Sequence, residues 1–569
     1  MPGNAHVKLP SIKNILFGEL TYIDYEGDVE PAIEDDRVSI KAALRLDKSY
    51  EYTDFTLMLA SQNEEKPIVM YIPAENADSR AIKKGKTKAG FLHFPLRELN
   101  CNESYGYQIL YKGKPLQIFK DKHPPEDTQV FIRTPPARQD PLPIKIAVGG
   151  DQERMEQFNP LGACLGLDNQ KYTSLLYTHI KSQPFNLFAH LGDLYNGEWF
   201  ISFQNLFRRG RKFIEYQVRS LQAYRANLAG DFGTPAENNL AHIAGGTCVV
   251  VDDHDIGQNN AGPPVTNKQK KAQRKMVDAF HEMGLMQDFL AADKEGPYFN
   301  TRIGQHEFFF LNNRFTQNRT SEEAYLLGDK QWAWLEASLA GSKAGNKIIV
   351  SPLPLAMGKS PTEDYRGHPK EWHRFMQLCR KYSVGAVLTA DSHNYSHTEF
   401  HVREFPDDKP WIVNQHLVGT LGGKAQHITA EEKKSINLLG RQPLMPEDAK
   451  IKELYRGSRV KAYFSPDENQ ALLPHEGEES EWTKPGEWEK DTYGYLGITL
   501  SSEPEEDNEQ GNVIFQEENG DQIEMVNFHS RKNRENRDNV SVGRVEAAFF
   551  ACTKKSGVVR EEPRLAFRY

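Results

Sequence analysis

Four groups of acidic and histidine residues hold the chemistry of this chain. Gly149-Gly150-Asp151 follows the apolar run Pro143–Val148, and Gly192-Asp193 follows Phe185–Leu191. Asp252-Asp253-His254-Asp255 follows Thr247–Val251, and Asp391-Ser392-His393 follows Val384–Leu388. Each apolar run has the length and composition of a buried strand. Taken singly, Gly-Asp after a strand is commonly a turn, because Gly accepts positive φ and Asp bonds its own backbone. The DDHD cluster resists that explanation, since its three carboxylates repel one another unless cations neutralise them. In open α/β sheets, ligands bind in the crevice beyond the carboxyl ends of the strands. Four strands delivering carboxylate and imidazole to one rim would make a metal site. The donors are oxygen and nitrogen without thiolate, which suits Fe, Mn, Zn or Ca. Two metals about 3.5–4 Å apart, bridged by one Asp, would activate a water and stabilise an in-line displacement at phosphorus.

The elements that must position these groups alternate. Helical patterns at Gln170–Ile180, Phe203–Leu228, Lys268–Met283, Asp329–Leu339 and Pro369–Tyr382 separate the strands, with further strands at Glu307–Leu311 and Lys347–Val350. That alternation argues a layered α/β core over 138–430. Residues 1–137 read differently. Ser39–Leu46, Thr53–Leu59, Lys66–Ile72 and Ser104–Tyr111 are short strand-like bursts between polar, Gly-rich turns, as in a small antiparallel β-sandwich. The proline-rich stretch His123–Pro143 reads as the linker between the two. Residues 431–490 are charged and weakly periodic and read as an insertion. Strand patterns return at Asp491–Leu500, Gln522–Phe528 and Gly543–Phe550, around an acidic loop at Ser502–Gly511; residues 491–569 are expected to complete the catalytic domain.

Composition narrows the function. Lys and Arg number 70 against 79 Asp and Glu, a formal charge of -9, so binding of nucleic acid through bulk charge is not expected. The five cysteines form neither a CxxC pair nor an even framework, which suits a reducing compartment. No run approaches the ~18 apolar residues of a membrane span, and the N-terminus shows no signal-peptide pattern. A cytoplasmic location is the expectation, with export by a non-classical route as the alternative. Secondary candidates are Asp252, Asp255, Asn259 and His397 near the main groups, the glycine-rich loop Gly419–Gly423 between His416 and His427, and the basic cluster Arg208–Lys212. Trp332 and Trp334, on an amphipathic pattern, read as core.

The ordered set Gly192-Asp193, DDHD at 252–255 and Ala390-Asp391-Ser392-His393, led by Asp151, resembles the metallophosphoesterase superfamily. Within it, the set is similar to the PhoD-like alkaline phosphatase/phosphodiesterase branch. Leu327-Gly328, Gln331 and Trp334-Leu335 match that branch's LG..Q..WL helix, Ser351–Leu355 its SPLPL strand end, and Leu311–Arg314 its LDTR strand end. The resemblance implies a calcineurin-like core, a layered α/β/β/α sandwich, behind an N-terminal β-sandwich. It implies a dinuclear site holding two divalent or trivalent ions that hydrolyse small-molecule, lipid or nucleotide phosphoesters. By this resemblance Asp151 is the first metal ligand, Asp193 the bridge, Asp253 a second-metal ligand, and Asp391 and His393 one ligand for each metal. His254 becomes the catalytic histidine beside the phosphate, and Arg314 a phosphate clamp. The chain departs from the pattern in places. Asn196 stands where GDxxY has its tyrosine, and Tyr195 is one residue early. Asn312 replaces the acid of LDTR, Ala390 replaces a glycine, and Asp151 stands where the branch often has cysteine nearby. These departures leave the alternative of an inactive fold serving as a binding or scaffold protein. A nuclease, which uses the same two-metal chemistry, is a further alternative, with the net negative charge counting against it.

Overall fold

A computed structural model gives the architecture. It describes residues 10, 12–23, 31–46, 50–62, 68–76, 91–116, 131–152, 170–194, 243–256, 260–263, 267, 270, 273–274, 277, 296–318, 325–356, 364–393, 395–419, 421, 449–465, 470–474, 482–483, 492–501, 514–516, 522–524, 544–553 and 559–568.

Among the described residues up to 133 the main elements are strands: β1 (Ile12–Tyr22), β2 (Arg37–Leu46), β3 (Phe55–Ser61), β4 (Val69–Pro73), β5 (Glu75–Asn76), β6 (Phe91–Asn100), β7 (Ser104–Tyr111), β8 (Lys114–Pro115) and β9 (Phe131–Arg133). They form an antiparallel sheet ordered β1-β2-β6-β5 and a second ordered β4-β3-β7-β8, with β9 on β7. Burial alternates residue by residue along β3 and β7, the period-two pattern of a sheet with one covered face. Phe55, Leu57, Tyr105 and Ile109 point inward and share one apolar cluster with Phe17, Ile40 and Phe94 of the other sheet. β1 and β6 were not anticipated from the sequence. The end of the expected linker is not loose: β9 pairs with β7, and Arg138 pairs with Asp36 at 2.9 Å. The Tyr22 hydroxyl donates to the Pro136 carbonyl and accepts the Gly304 amide at 2.7 Å. Prolines remove backbone donors, but their carbonyls still accept.

Strands and helices then alternate: β10 (Ile144–Gly149), α1 (Gln170–Ser182), β11 (Leu187–His190), β12 (Thr247–Val249), α2 (Asp253–Ile256), β13 (Phe299–Ile303), β14 (His306–Phe310), α3 (Asp329–Gly341), β15 (Asn346–Val350), α4 (Pro369–Lys381), β16 (Val384–Thr389), β17 (Tyr395–Val402) and β18 (Trp411–Leu417). After them come α5 (Ala449–Leu454), β19 (Arg459–Ser465), β20 (Gln470–Pro474), β21 (Trp482–Thr483), β22 (Thr492–Ser501), the hairpin β23 (Ile514–Gln516) and β24 (Gln522–Glu524), β25 (Arg544–Thr553) and β26 (Val559–Arg568). Two mixed sheets result. One is ordered β12-β11-β10-β22-β25-β26, the other β13-β14-β15-β16-β18-β17-β19-β20-β21. β10, β11 and β12 run parallel, as do β14, β15, β16 and β18.

β14 shows how the layers lock. Phe308 and Phe310 join a cluster with Ile146, Val148 and Leu187 of the other sheet. Phe309, between them, joins a cluster with Trp332, Leu335, Trp372 and Phe375 of α3 and α4. A continuous apolar run is what a strand buried on both faces requires. Chain distant in sequence completes both sheets. β22 pairs antiparallel with β10, and β19, from the segment read as an insertion, pairs with β17. Among the described residues no helix is long and apolar enough to cross a membrane.

Candidate functional site

Each expected motif begins where a parallel strand ends. Asp151 follows β10, Asp193 follows β11, Asp252 and Asp253 follow β12, and Asp391 and His393 follow β16. Asp151, Asp193, Asp391 and His393 all have left-handed backbone, with φ of 53°, 53°, 71° and 51°. For residues with a side chain that conformation costs about 1–3 kcal/mol and gathers at functional sites. Gly192 makes the second turn possible: its φ is 97°, and a Cβ there would lie 2.5 Å from the Cβ of Asp252. The two sheets meet at this rim. The Asp391 amide donates to Asp151 Oδ1 at 3.3 Å, and the Leu421 amide to the Gly150 carbonyl at 2.9 Å. A Cβ on Gly150 would lie 3.1 Å from that of Ala390, so glycine at 150 leaves room for the alanine at 390.

The side chains converge. Ligand atoms of Asp151, Asp193 and His393 lie within 4.8 Å of one another, as do those of Asp193, Asp253 and His254. Asp193 belongs to both groups. A third group of the same spacing is Asp252, Asp253 and Asp391. All of these residues are buried. Loss of water pushes the Asp193 carboxyl well above the usual carboxylate range, and Asp253, Asp252, Asp151 and Asp255 push it further. Burial likewise raises Asp255, against two backbone donors that favour its charge. Asp252 is pushed up to about 7, by burial first, with Arg314 pulling the other way. Three buried acids whose charge is this costly fit a site completed by cations. The oxygen and nitrogen donor set, and the spacing of the first two groups, fit metal ions.

Neighbouring backbone holds these side chains in place. Asp255 Oδ2 accepts the amides of Asp193 and Asp252, each at 3.0 Å. The His254 amide donates to Asp193 Oδ1 at 3.2 Å, and the Asn260 amide donates to Asp253 Oδ2. His190, kept neutral by burial, accepts the Gly192 amide on Nδ1 at 3.3 Å. His190 was not singled out from the sequence, where it looks like one more residue of a buried strand.

Two expectations change. Arg314 is not open to a phosphate: it is 0% exposed, with Nε on Asp252 and Nη2 on Asp391 Oδ1 at 2.7 Å and Asp253 Oδ1 at 3.5 Å. Burial opposes its charge, but the three carboxylates outweigh burial and raise its pKa further. His397, expected near the main groups, lies in β17. Its ring stacks on His416 at 4.8 Å, its Nε2 meets Asn414 Oδ1 at 2.9 Å, and it is in none of the three ligand groups. Asp252 and Asp255 lie around the main groups, the first bonded to Arg314 and the second to the Asp193 and Asp252 amides. Tyr195, Asn196, Asn259, His427 and the cluster Arg208–Lys212 lie outside the described residues.

The PhoD-like phosphatase family model matches residues 161–443, a span that includes Asp193, the 252–255 cluster, Arg314 and His393 but begins after Asp151. Among solved structures, one described as the structure of PhoD superposes with a TM-score of 0.55 at 14% identity, covering 97% of this chain and 92% of that one. A purple acid phosphatase from yellow lupin (Lupinus luteus) seeds gives a TM-score of 0.47 at 11% identity, over 98% and 74%. A dimetal phosphatase from Danio rerio gives 0.30 at 12%, over 49% and 88%. No curated protein sequence matches the chain.

Proposed function

This chain belongs to the PhoD-like phosphatase family, matched over residues 161–443, and from that premise we propose that it hydrolyses phosphoric esters at the rim where Asp151, Asp193, Asp253, Asp391 and His393 converge. The observation that carries the reading is the pair of ligand groups sharing Asp193, the arrangement a bridging carboxylate needs. In this reading Asp151, Asp193 and His393 hold one metal ion, and Asp193 and Asp253 hold a second, with Asp391 beside both. The finer fold reading goes with it: a four-layer α/β/β/α core over 138–430, completed by strands from 431–569 and preceded by an N-terminal β-sandwich to residue 137.

When bound, the metal ions supply polarisation of the phosphoryl oxygen and a water made nucleophilic near neutral pH. The protein's own residues do the rest. His254 is 6% exposed, its backbone is tied to Asp193, and its Nδ1 has no hydrogen-bond partner among the described residues. It is placed to donate to a phosphoryl oxygen or to protonate the leaving group. Left-handed turns at Asp151, Asp193 and Asp391 aim their carboxylates before substrate arrives, so the reorganisation is made during folding. The apolar cluster of Val148, Ala189, Leu191, Val350, Leu388 and Ala390 lies directly beneath the rim and keeps water from its floor. Every step is direct transfer to water, without a covalent phosphoenzyme.

Elemental analysis of the purified chain, beside hydrolysis of p-nitrophenyl phosphate and bis-p-nitrophenyl phosphate, tests this. About two ions per chain, with loss of at least one in Asp193→Asn, is the expected result. Full metal retention by Asp193→Asn, or no metal after reconstitution with Mn, Fe, Zn and Ca, would sink it.

A further inference from the structure

Among the described residues Arg314 is the guanidinium that pairs with the rim carboxylates, and its surroundings are unlike those of a substrate clamp. Asp252, Asp253 and Asp391 each offer an oxygen within 4.8 Å of the others, the spacing of a cation site. The guanidinium pairs with all three. We propose that Arg314 is the resident cation of this third group, held there by Gln331: a positioning pair that fixes Asp253 and Asp391 rather than a group that binds substrate. The inference rests on the proposed function to the extent that Asp253 and Asp391 serve the metals.

Charge and shape both favour a built-in cation. Arginine stays protonated at any working pH, so its counter-charge does not depend on metal supply. Its planar fork sends Nε and Nη2 to different carboxylates, Asp252 at the end of β12 and Asp391 at the end of β16. It therefore links the two sheets at the rim. A substrate phosphate would have to draw the guanidinium from these partners and leave buried carboxylates unpaired, which is strongly unfavourable.

Gln331 supplies the delivery. It is fully buried on α3, and its amide clamps both backbone groups of one residue: Oε1 accepts the Asn312 amide at 2.8 Å, and Nε2 donates to the Asn312 carbonyl at 2.7 Å. Asn312 Oδ1 accepts the Phe315 amide at 2.9 Å, closing the turn around Arg314. Asn313 is held from its far side by the Tyr365 hydroxyl at 2.8 Å and the Ser351 hydroxyl at 2.9 Å. A glutamine amide among the apolar residues of α3 has few other reasons to be there, because a buried polar group needs such partners. The chain of contacts runs α3, Gln331, the 312–315 turn, Arg314, then Asp253 and Asp391.

The test uses the full chain, stripped of metal, with Mn²⁺ as probe. Arg314→Lys and Gln331→Met should each weaken Mn²⁺ binding about 10–100-fold by calorimetry, the usual effect of losing a group that orients ligands. At saturating Mn²⁺ the KM for p-nitrophenyl phosphate should stay close to wild type. Arg314→Ala should regain Mn²⁺ affinity when millimolar guanidinium is added, a response that a mere folding defect would not show. Circular dichroism identifies any variant that fails to fold, and Arg314→Lys is the conservative check. Unchanged Mn²⁺ affinity in folded Arg314→Lys and Gln331→Met, or a raised KM at saturating Mn²⁺ with affinity intact, overturns the proposal in favour of a clamp. Wild-type protein that binds no Mn²⁺ overturns the proposed function instead, so the two failures are distinguishable.

Discussion

Stripping the metals should make the protein less stable as pH rises, and the size of the effect can be worked from the rim. Asp252 titrates near 3.8 in the unfolded chain and is pushed up to about 7 in the folded one, by burial first and then by neighbouring acids. Between those values the folded chain binds a proton that the unfolded chain does not. Stability from this group is therefore greatest at low pH and is lost as pH rises through about 7. The full loss is ~4 kcal/mol, from roughly three pH units at 1.36 kcal/mol each. Asp193 and Asp255 are raised in the same direction by burial and by their neighbours, so they prolong the decline. Buried histidines work the other way. His190 and His306 are pushed down to about 3 by burial, so their stability is lost as pH falls below 6.5. The unfolded imidazoles are half protonated at pH 6.5 and neutral by about pH 7.5, so these histidines, and His416 with them, offset the Asp252 term at the low end of the window, and Asp193 and Asp255 carry the decline beyond it. At pH 6.5 Asp252 still contributes on the order of 1 kcal/mol. Each acid that remains protonated adds up to ~1.4 kcal/mol per pH unit.

The assay is the thermal midpoint of chelator-treated protein from pH 6.5 to 8.5, with and without added Mn²⁺, compared at one scan rate because a chain of this size need not unfold in two states. The metal-free midpoint should fall across the window. With Mn²⁺ the trend should flatten or reverse, because metal binding displaces protons and tightens with pH. Asp252→Asn, which carries no titrating proton, should give a shallower metal-free slope. A metal-free midpoint that holds steady or rises from 6.5 to 8.5 would refute the reasoning, since it would mean that these carboxylates ionise in the folded chain without cost.

Two further outcomes follow from the geometry of single residues. His254→Ala should lower kcat by about 10²–10⁴-fold while elemental analysis finds the metals still bound; an unchanged kcat removes His254 from the chemistry. Gly192→Ala places a Cβ 2.5 Å from that of Asp252 and 2.9 Å from its amide nitrogen at a φ of 97°. Strain and overpacking together should cost about 2–5 kcal/mol, read as a lower thermal midpoint and reduced metal content; wild-type values in both would show that the turn is built otherwise.

The order of the chemical groups was legible along the chain. An apolar run followed by Gly-Asp, DDHD or Asp-Ser-His is a local pattern, so strand, turn and ligand type can be read from neighbouring residues. α3 and α4 were legible for the same reason: their apolar spacing repeats with the helix. Other parts were not local. β22 lies beside β10 although some 350 residues separate them, and a proline-rich stretch read as linker is pinned by Asp36 and Tyr22. His397, four residues from His393, faces away into a stack with His416 because a strand, not a helix, spans it. Arg314 could be recognised by type but not by destination. Its partners, Asp252 and Asp391, are 62 and 77 residues away, and Asp255 takes the amide of Asp193 across another 62. Chain neighbours set local conformation, whereas a buried charge is settled by whichever groups the fold brings within a few ångströms. Packing between distant segments therefore sets which acids gather into each group and which face the arginine.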